Sequence, residues 1–327
     1  MSESQPKMPL ERRGISASRI ALGCMHFGGP MTATSVGEEQ LDRARLAFDT
    51  AYEQGIRFFD VADIYGRGKA EQVLGQIVRE RPGIRDQIIL QTKCGIRLED
   101  ERGFNQYDFS YEHIMEAVDG SLSRLGLPSV DILLLHRPDP LVEPEEVAEA
   151  FYKLRAAGKV RWFGVSNMSA AQMRFLQSSF DEPLIVNQLE LNLLHTGFVD
   201  AEIHVNQAES TKDAFPEGSM EYFREKQVQI QAWGPLAQGR LSGGSLEGEP
   251  ESVRRTAKLV EEMAQSKGTS REAIVLAWLM RHPAGIQPVV GTMNPERIRA
   301  SVQATQVTLT REEWYQLYEV STGHALP

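Results

Sequence analysis

The stretch Phe58-Phe59-Asp60-Val61-Ala62-Asp63-Ile64-Tyr65-Gly66 opens as an apolar run, stops on an acid and soon reaches a phenol. Ile88-Ile89-Leu90 leads in the same way to Lys93, and Leu133-Leu134-Leu135 to His136. Strands of a parallel sheet are buried on both faces and therefore read as unbroken hydrophobic runs. An acid, a phenol, an amine and an imidazole delivered where such runs end predict a polar site built on a parallel sheet.

Outward from this stretch, strand-like and helix-period segments alternate almost from end to end, the signature of repeated βα units. Strands are expected at 20–22, 56–59, 88–91, 130–135, 160–165, 184–186, 228–232 and 287–290. Leu41, Ala44, Phe48 and Ala51 mark one helical face, and Ile114, Val118, Leu122 and Leu125 another. Eight strands with intervening helices predict a closed (β/α)8 barrel with its active site at the carboxyl ends of the strands. A doubly wound open sheet is the competing architecture. Helical periodicity returns near 313–320 as an additional C-terminal helix. Residues 195–218 and 239–252 read as long polar connections, the second the better candidate for a lid. The organisation expected is a mobile tail over 1–9 followed by one domain over 10–327.

The chain has 327 residues with a formal net charge of -10, a field that disfavours nucleic acid and anionic membranes as partners. Two cysteines, Cys24 and Cys94, cannot make a disulfide framework, and the N-terminus lacks the apolar core of a signal peptide. A cytoplasmic setting is the expectation. The oligomeric state is not legible.

Asp60, Tyr65, Lys93 and His136 combine most simply as a proton-donating site. A phenol with a pKa of about 10 is a poor acid near neutrality, and a neighbouring ammonium stabilises its phenolate. Lys93 would supply that charge, Asp60 would hold Lys93, and His136 would orient a substrate oxygen. Singly, each has a plainer reading: Asp60 as a turn former, Lys93 as a solvated charge, Tyr65 as a half-buried aromatic, His136 as a loop cap. No HExxH or paired CxxC is present, so no metal site is expected, and Gly66-Arg67-Gly68 lacks the third glycine of a dinucleotide fingerprint.

The segment 58–66, then Gln91-Thr92-Lys93, Leu135-His136-Arg137-Pro138 and Gly164-Val165-Ser166-Asn167, resembles in order and spacing the aldo-keto reductase superfamily. Leu193-Leu194-His195-Thr196 and Ala232-Trp233-Gly234-Pro235-Leu236 are most similar to its bacterial YdhF-like branch. The resemblance implies a (β/α)8 TIM barrel with an N-terminal β-hairpin around 12–19, and NADPH-dependent reduction of an aldehyde or ketone. It makes Asp60, Tyr65, Lys93 and His136 the catalytic tetrad. It places Ser166, Asn167 and Gln188 on the nicotinamide carboxamide, Trp233 stacked on the ring, and Gly23, Cys24 and Met25 beside the cofactor. Gly234, Pro235, Leu236, Gln238, Gly239 and Arg240 fall to the pyrophosphate loop, and Gly291, Thr292, Met293, Arg297 and Ser301 to the adenosine end. The substrate pocket would include His26, Phe27, Tyr65, Phe104 and His136.

Three departures qualify this assignment. Gly291 stands where a lysine often meets the 2'-phosphate, leaving Arg297 to hold it, so NADPH is expected to be preferred only weakly and NADH is left open. Gly234 replaces a common serine, and the chain ends too soon for a long C-terminal loop. A redox-sensing NADPH-binding subunit is the alternative from another functional class, and a metal-dependent barrel hydrolase a third.

Overall fold

A computed structural model describes residues 6–99 and 103–327. Its strands are β1 (Ala21–Gly23), β2 (Phe58–Asp60), β3 (Ile89–Cys94), β4 (Ile96–Arg97), β5 (Gln106–Tyr107), β6 (Val130–Leu135), β7 (Val160–Ser166), β8 (Val186–Glu190), β9 (Gln229–Trp233) and β10 (Gln287–Val290). Eight of them close a parallel barrel in the order β1-β10-β9-β8-β7-β6-β3-β2, while β4 and β5 form a small antiparallel hairpin. The barrel is the expected one. The chain clusters into two compact units: Ala21–Gln188 with Gly291–Pro295, and the N-terminal segment to Ile20 with Leu189–Val290 and Glu296–Pro327.

In the first unit, Phe59 pairs with Leu90, Asp60 with Gln91, and Lys93 with Leu134. Side chains alternate between faces along a strand, so Asp60, Gln91 and Lys93 share one face and Thr92 the other. Thr92 there donates to Glu71 of the helix Lys69–Arg79, at 2.6 Å. That helix lies close to the helix Tyr111–Leu125 because Gly75 has no side chain: a Cβ would drive into the carbonyl of Leu125. Phe48 stacks on Phe59 and Phe151 on Phe163, aromatic pairs that join helices to strands.

In the second unit, the amide groups of buried strand glutamines find acceptors. Gln231 donates to Gln287 at 2.9 Å and Gln229 to the carbonyl of Gly285 at 2.9 Å, each fully buried. The C-terminal helix Arg311–Thr322 is present and stacks Trp314 on Trp278. No described helix is long and apolar enough to cross a membrane.

Two expectations fail. In place of an N-terminal hairpin stands a short helix, Pro9–Arg12, opened by a proline whose missing N–H costs nothing at a helix start and closed back by Glu11 accepting from the Met8 amide at 2.9 Å. The tail expected over 1–9 lies partly outside the described residues, and Met8 and Pro9 are buried. Residues 195–218 also hold more than a polar connection. They include the helix Gly197–Ile203, anchored by fully buried Phe198 and by Asp200, which accepts from Tyr318 at 2.6 Å.

Candidate active site

Asp60, the last residue of β2, is 2 % exposed, and Lys93, near the end of β3, is fully buried. Lys93 Nζ donates to Asp60 Oδ2 at 2.7 Å, to the carbonyl of Val61 at 3.0 Å and to the Tyr65 hydroxyl at 3.2 Å. All three ammonium protons thus have acceptors, which is how a buried cation is retained. Asp60 Oδ1 accepts from Gln91 at 2.6 Å and from Gln188 at 3.1 Å. The Tyr65 ring meets the His136 ring edge-on with centroids 5.7 Å apart. The four residues that end the apolar runs therefore form one cluster.

Its electrostatics differ from the expectation in one respect. Burial pushes the Tyr65 phenol above its ordinary value, and Lys93 only partly offsets this; Asp60 adds to the rise. Burial by itself would lower Lys93, yet Asp60 and Tyr65 together hold its pKa above the ordinary value. Burial pushes His136 well below the usual histidine range, reinforced by Lys93 and Arg137. Near neutrality the site thus carries a protonated phenol, an ammonium and a neutral imidazole. A donor proton is in place, and the lysine charge favours its departure.

Ser166, Asn167 and Gln188 are gathered beside this cluster. Ser166 pairs with Gln188 in the β7–β8 ladder and donates its hydroxyl to the Gln188 carbonyl at 2.8 Å. Asn167, at a left-handed φ of 59°, donates to Ser166 Oγ at 2.8 Å and to the His136 carbonyl at 3.3 Å. Among the neighbours of β1, Met25 is 47 % exposed and His26 is exposed, whereas Cys24 and Phe27 have no accessible surface. The turn Met25–Gly28 folds Cys24 and Phe27 into the core and leaves Met25 and His26 accessible. Phe104 is exposed, next to the β4–β5 hairpin.

The remaining cofactor candidates divide between the two units. Gly291 is exposed, and a Cβ built on it would meet nothing within 4 Å. Met293 sulfur accepts from Gln40 at 3.7 Å, and the hydroxyl of Thr292 accepts from the Asn294 amide at 3.1 Å. In the other unit, Trp233 is half-buried at the end of β9. Gly234 sits at φ 61°, a conformation that strains any side chain even though an added Cβ would meet only Glu190 Oε1, at 3.9 Å. Pro235 is buried and Leu236 half-buried.

Ala237, Gln238 and Gly239 then take three successive left-handed conformations, with φ of 46°, 59° and 85°. Such strain in non-glycine residues clusters where loops clamp ligands, and it turns backbone amides into anion-binding concavities. Arg240, which donates to the Ala237 carbonyl at 3.1 Å and lies 3.5 Å from Glu249, braces the loop itself. Arg297 is exposed, and Ser301 is fully buried and donates its hydroxyl to the Arg297 carbonyl at 2.8 Å.

A profile of the aldo/keto reductase family matches residues 19–322. The chain belongs to the aldo/keto reductase family. As a member it is an NAD(P)H-dependent oxidoreductase. It is 37% identical to the 6-dehydroglucose reductase of Agrobacterium fabrum over 313 residues, 94% of this chain and 96% of that protein. It is 32% identical to the oxidoreductase YdhF of Escherichia coli over 275 residues, 84% of this chain and 85% of that one, in keeping with the YdhF-like resemblance. In fold it is similar to an aldo-keto reductase from Klebsiella pneumoniae solved in complex with NADPH, with a TM-score of 0.73 at 24% identity, covering 98% of this chain and 96% of that chain.

Sequence reading missed two buried residues that brace this cluster. Gln91, fully buried, makes the shortest contact to Asp60; its signal was its place two residues before Lys93, on the same strand face. Glu71, also fully buried, ties Thr92 to Arg124 at 2.6 and 2.7 Å from behind the site. An acid inside an amphipathic helix gives no sign that it faces inward.

Proposed function

We propose that this aldo/keto reductase family member reduces an aldehyde or ketone with NADPH, with Tyr65 as general acid. The observation that carries the reading is the single cluster in which buried Lys93 joins buried Asp60 to the hydroxyl of half-buried Tyr65. Bound cofactor supplies the hydride that goes to the carbonyl carbon. Tyr65 gives its proton to the carbonyl oxygen as negative charge builds there, and Lys93 stabilises the phenolate left behind. Asp60, gripped by the amides of Gln91 and Gln188, keeps the ammonium charged and in place. The neutral imidazole of His136 orients the carbonyl oxygen without competing for the proton.

On the cofactor side, Ser166, Asn167 and Gln188 take the carboxamide, Trp233 the ring face, the loop from Gly234 to Arg240 the pyrophosphate, and Gly291, Thr292, Met293 and Arg297 the adenosine end. Arg297 is the cation assigned to the 2'-phosphate, since its planar fork suits a phosphate dianion. The likeness to a 6-dehydroglucose reductase across nearly the whole chain favours a sugar-derived aldehyde as substrate.

The test is a panel of sugar-derived aldehydes, simple aldehydes, ketones and quinones assayed with NADPH and NADH. Faster oxidation of NADPH, with the highest kcat/KM on a sugar-derived aldehyde, supports the reading. Absence of carbonyl-dependent oxidation of either nucleotide refutes it. Arg297→Ala should weaken NADPH binding and spare NADH; equal affinity of the wild type for both, with no effect of the substitution, refutes the cofactor assignment.

A further inference from the structure

Asp63 lies on the loop between β2 and the helix Lys69–Arg79, between Asp60 and Tyr65 in sequence, and the chemistry above makes no use of it. Its amide donates to the Lys93 carbonyl at 3.2 Å, which ties this loop to the strand that carries the lysine. Its Oδ1 is buried and has no hydrogen-bond partner. On its outer side Asp63 lines a surface cleft of about 380 Å³ together with Arg67, Arg97, His113, Glu116 and Arg124. A carboxyl therefore stands between the proton-donating cluster and an open surface cleft.

The charges around it come from every neighbouring element. Its own loop brings Tyr65 and Arg67, β3 brings Lys93 and the buried thiol of Cys94, and the helix Lys69–Arg79 brings Glu71. The β4–β5 hairpin contributes Arg97, which is engaged by Asp108 at 2.8 Å, and the helix Tyr111–Leu125 contributes His113, Glu116 and Arg124. Glu71 is fully buried and accepts from both Thr92 and Arg124, so the guanidinium that pulls on Asp63 is already engaged by another carboxylate. Burial, then Glu71, push Asp63 up to about 7, while Arg124, the Ile64 amide and Lys93 pull the other way. Its negative charge in turn opposes ionisation of Tyr65.

We propose that Asp63 is a positioning residue whose charge sets how readily Tyr65 releases its proton. Neutral, it adds nothing to the opposition that burial and Asp60 already set against the pull of Lys93 on the phenol; ionised, it holds the proton on Tyr65 and slows reduction. The inference rests on the role of Tyr65 given under the proposed function. Asp63 itself touches neither substrate nor the transferred proton.

The test is the single-turnover rate of NADPH-dependent carbonyl reduction as a function of pH, for the wild type, Asp63→Asn and Asp63→Glu. The wild type should show a several-fold, one-proton fall centred near 7, where Asp63 ionises. Asp63→Asn should lose that fall and keep the acid-side rate and the NADPH KM, and Asp63→Glu should restore a fall. Carbon-13 titration of the aspartate carboxyls in the NADPH-bound wild type gives a check that does not need the variants to fold. Arg124→Gln, which removes a cation that favours ionised Asp63, should move the fall to higher pH. The same fall in Asp63→Asn, or a carboxyl that ionises in the ordinary aspartate range, overturns the inference. Full activity in Tyr65→Phe would instead overturn the general-acid assignment, and the carboxyl titration would still report on Asp63.

Discussion

Replacing Lys93 by methionine separates what the buried ion pair does for stability from what it does for chemistry. The substitution keeps most of the side-chain volume, so the cavity contribution is small. It removes the bonds from Nζ to Asp60 Oδ2, the Val61 carbonyl and the Tyr65 hydroxyl, at 2.7, 3.0 and 3.2 Å. Breaking a buried ion pair by deleting one partner costs about 3–5 kcal/mol, because the remaining charge stays desolvated. Asp60 is 2 % exposed, but its other oxygen keeps the amides of Gln91 and Gln188, which places the expected loss toward about 3 kcal/mol. Urea unfolding of the cofactor-free protein near neutral pH measures it. Asp60→Asn in the same background removes the stranded charge and should recover a large part of the loss, a non-additivity that a double-mutant cycle reads directly. A single-variant loss below about 1 kcal/mol, or strictly additive costs, would refute the claim that these two side chains depend on each other.

Other outcomes follow from the same geometry. His136 should remain neutral well below the ordinary histidine value of 6.5, as nitrogen-15 shifts of the imidazole would show. Because the unfolded chain then takes up a proton that the native state refuses, His136 lowers stability as pH falls below that value. Asp63, raised from 3.8 to about 7, works in the opposite window: the native state holds a proton that the unfolded chain releases, so stability declines as pH rises between those values. At about 1.4 kcal/mol per unit the upper bound is about 4 kcal/mol, and Asp63→Asn should gain stability over the wild type in alkaline but not in acidic buffer, as melting temperatures would show. Gly75→Ala should destabilise by about 1–3 kcal/mol or more, since its Cβ meets the Leu125 carbonyl, and unaltered unfolding in urea would contradict that close helix approach.

The barrel and the convergence of Asp60, Lys93 and His136 were legible because both depend on strand periodicity. Runs such as Leu133-Leu134-Leu135 announce a strand buried on both faces, and the polar residue that ends each run marks the same end of the barrel. β8 was read too early, at 184–186 rather than Val186–Glu190, because Asn187, Gln188 and Glu190 interrupt the apolar signal. Those polar residues are tolerated because specific partners receive them, Asp60 for Gln188 and the Met168 carbonyl for Asn187. The N-terminal helix was not legible because its four residues are too few to show a period, and its stability comes from Pro9 and Glu11 locally and from burial of Leu10. The burial of Cys24, Phe27 and Ser301 was not legible, because position in the chain does not reveal which way a side chain in a turn or helix is folded. Asp63 was passed over for a related reason: an acid in a loop reads as solvated, and only its unpartnered Oδ1 and its neighbour Glu71 show otherwise.

The central claim is that Tyr65 donates the proton, and Tyr65→Phe tests it most directly. The substitution removes one oxygen from a ring that keeps its contact with His136. The account predicts unchanged NADPH affinity by fluorescence titration and a loss of carbonyl turnover of at least about 10²-fold, the scale of a missing general acid. Turnover near that of the wild type, with cofactor binding intact, would contradict it.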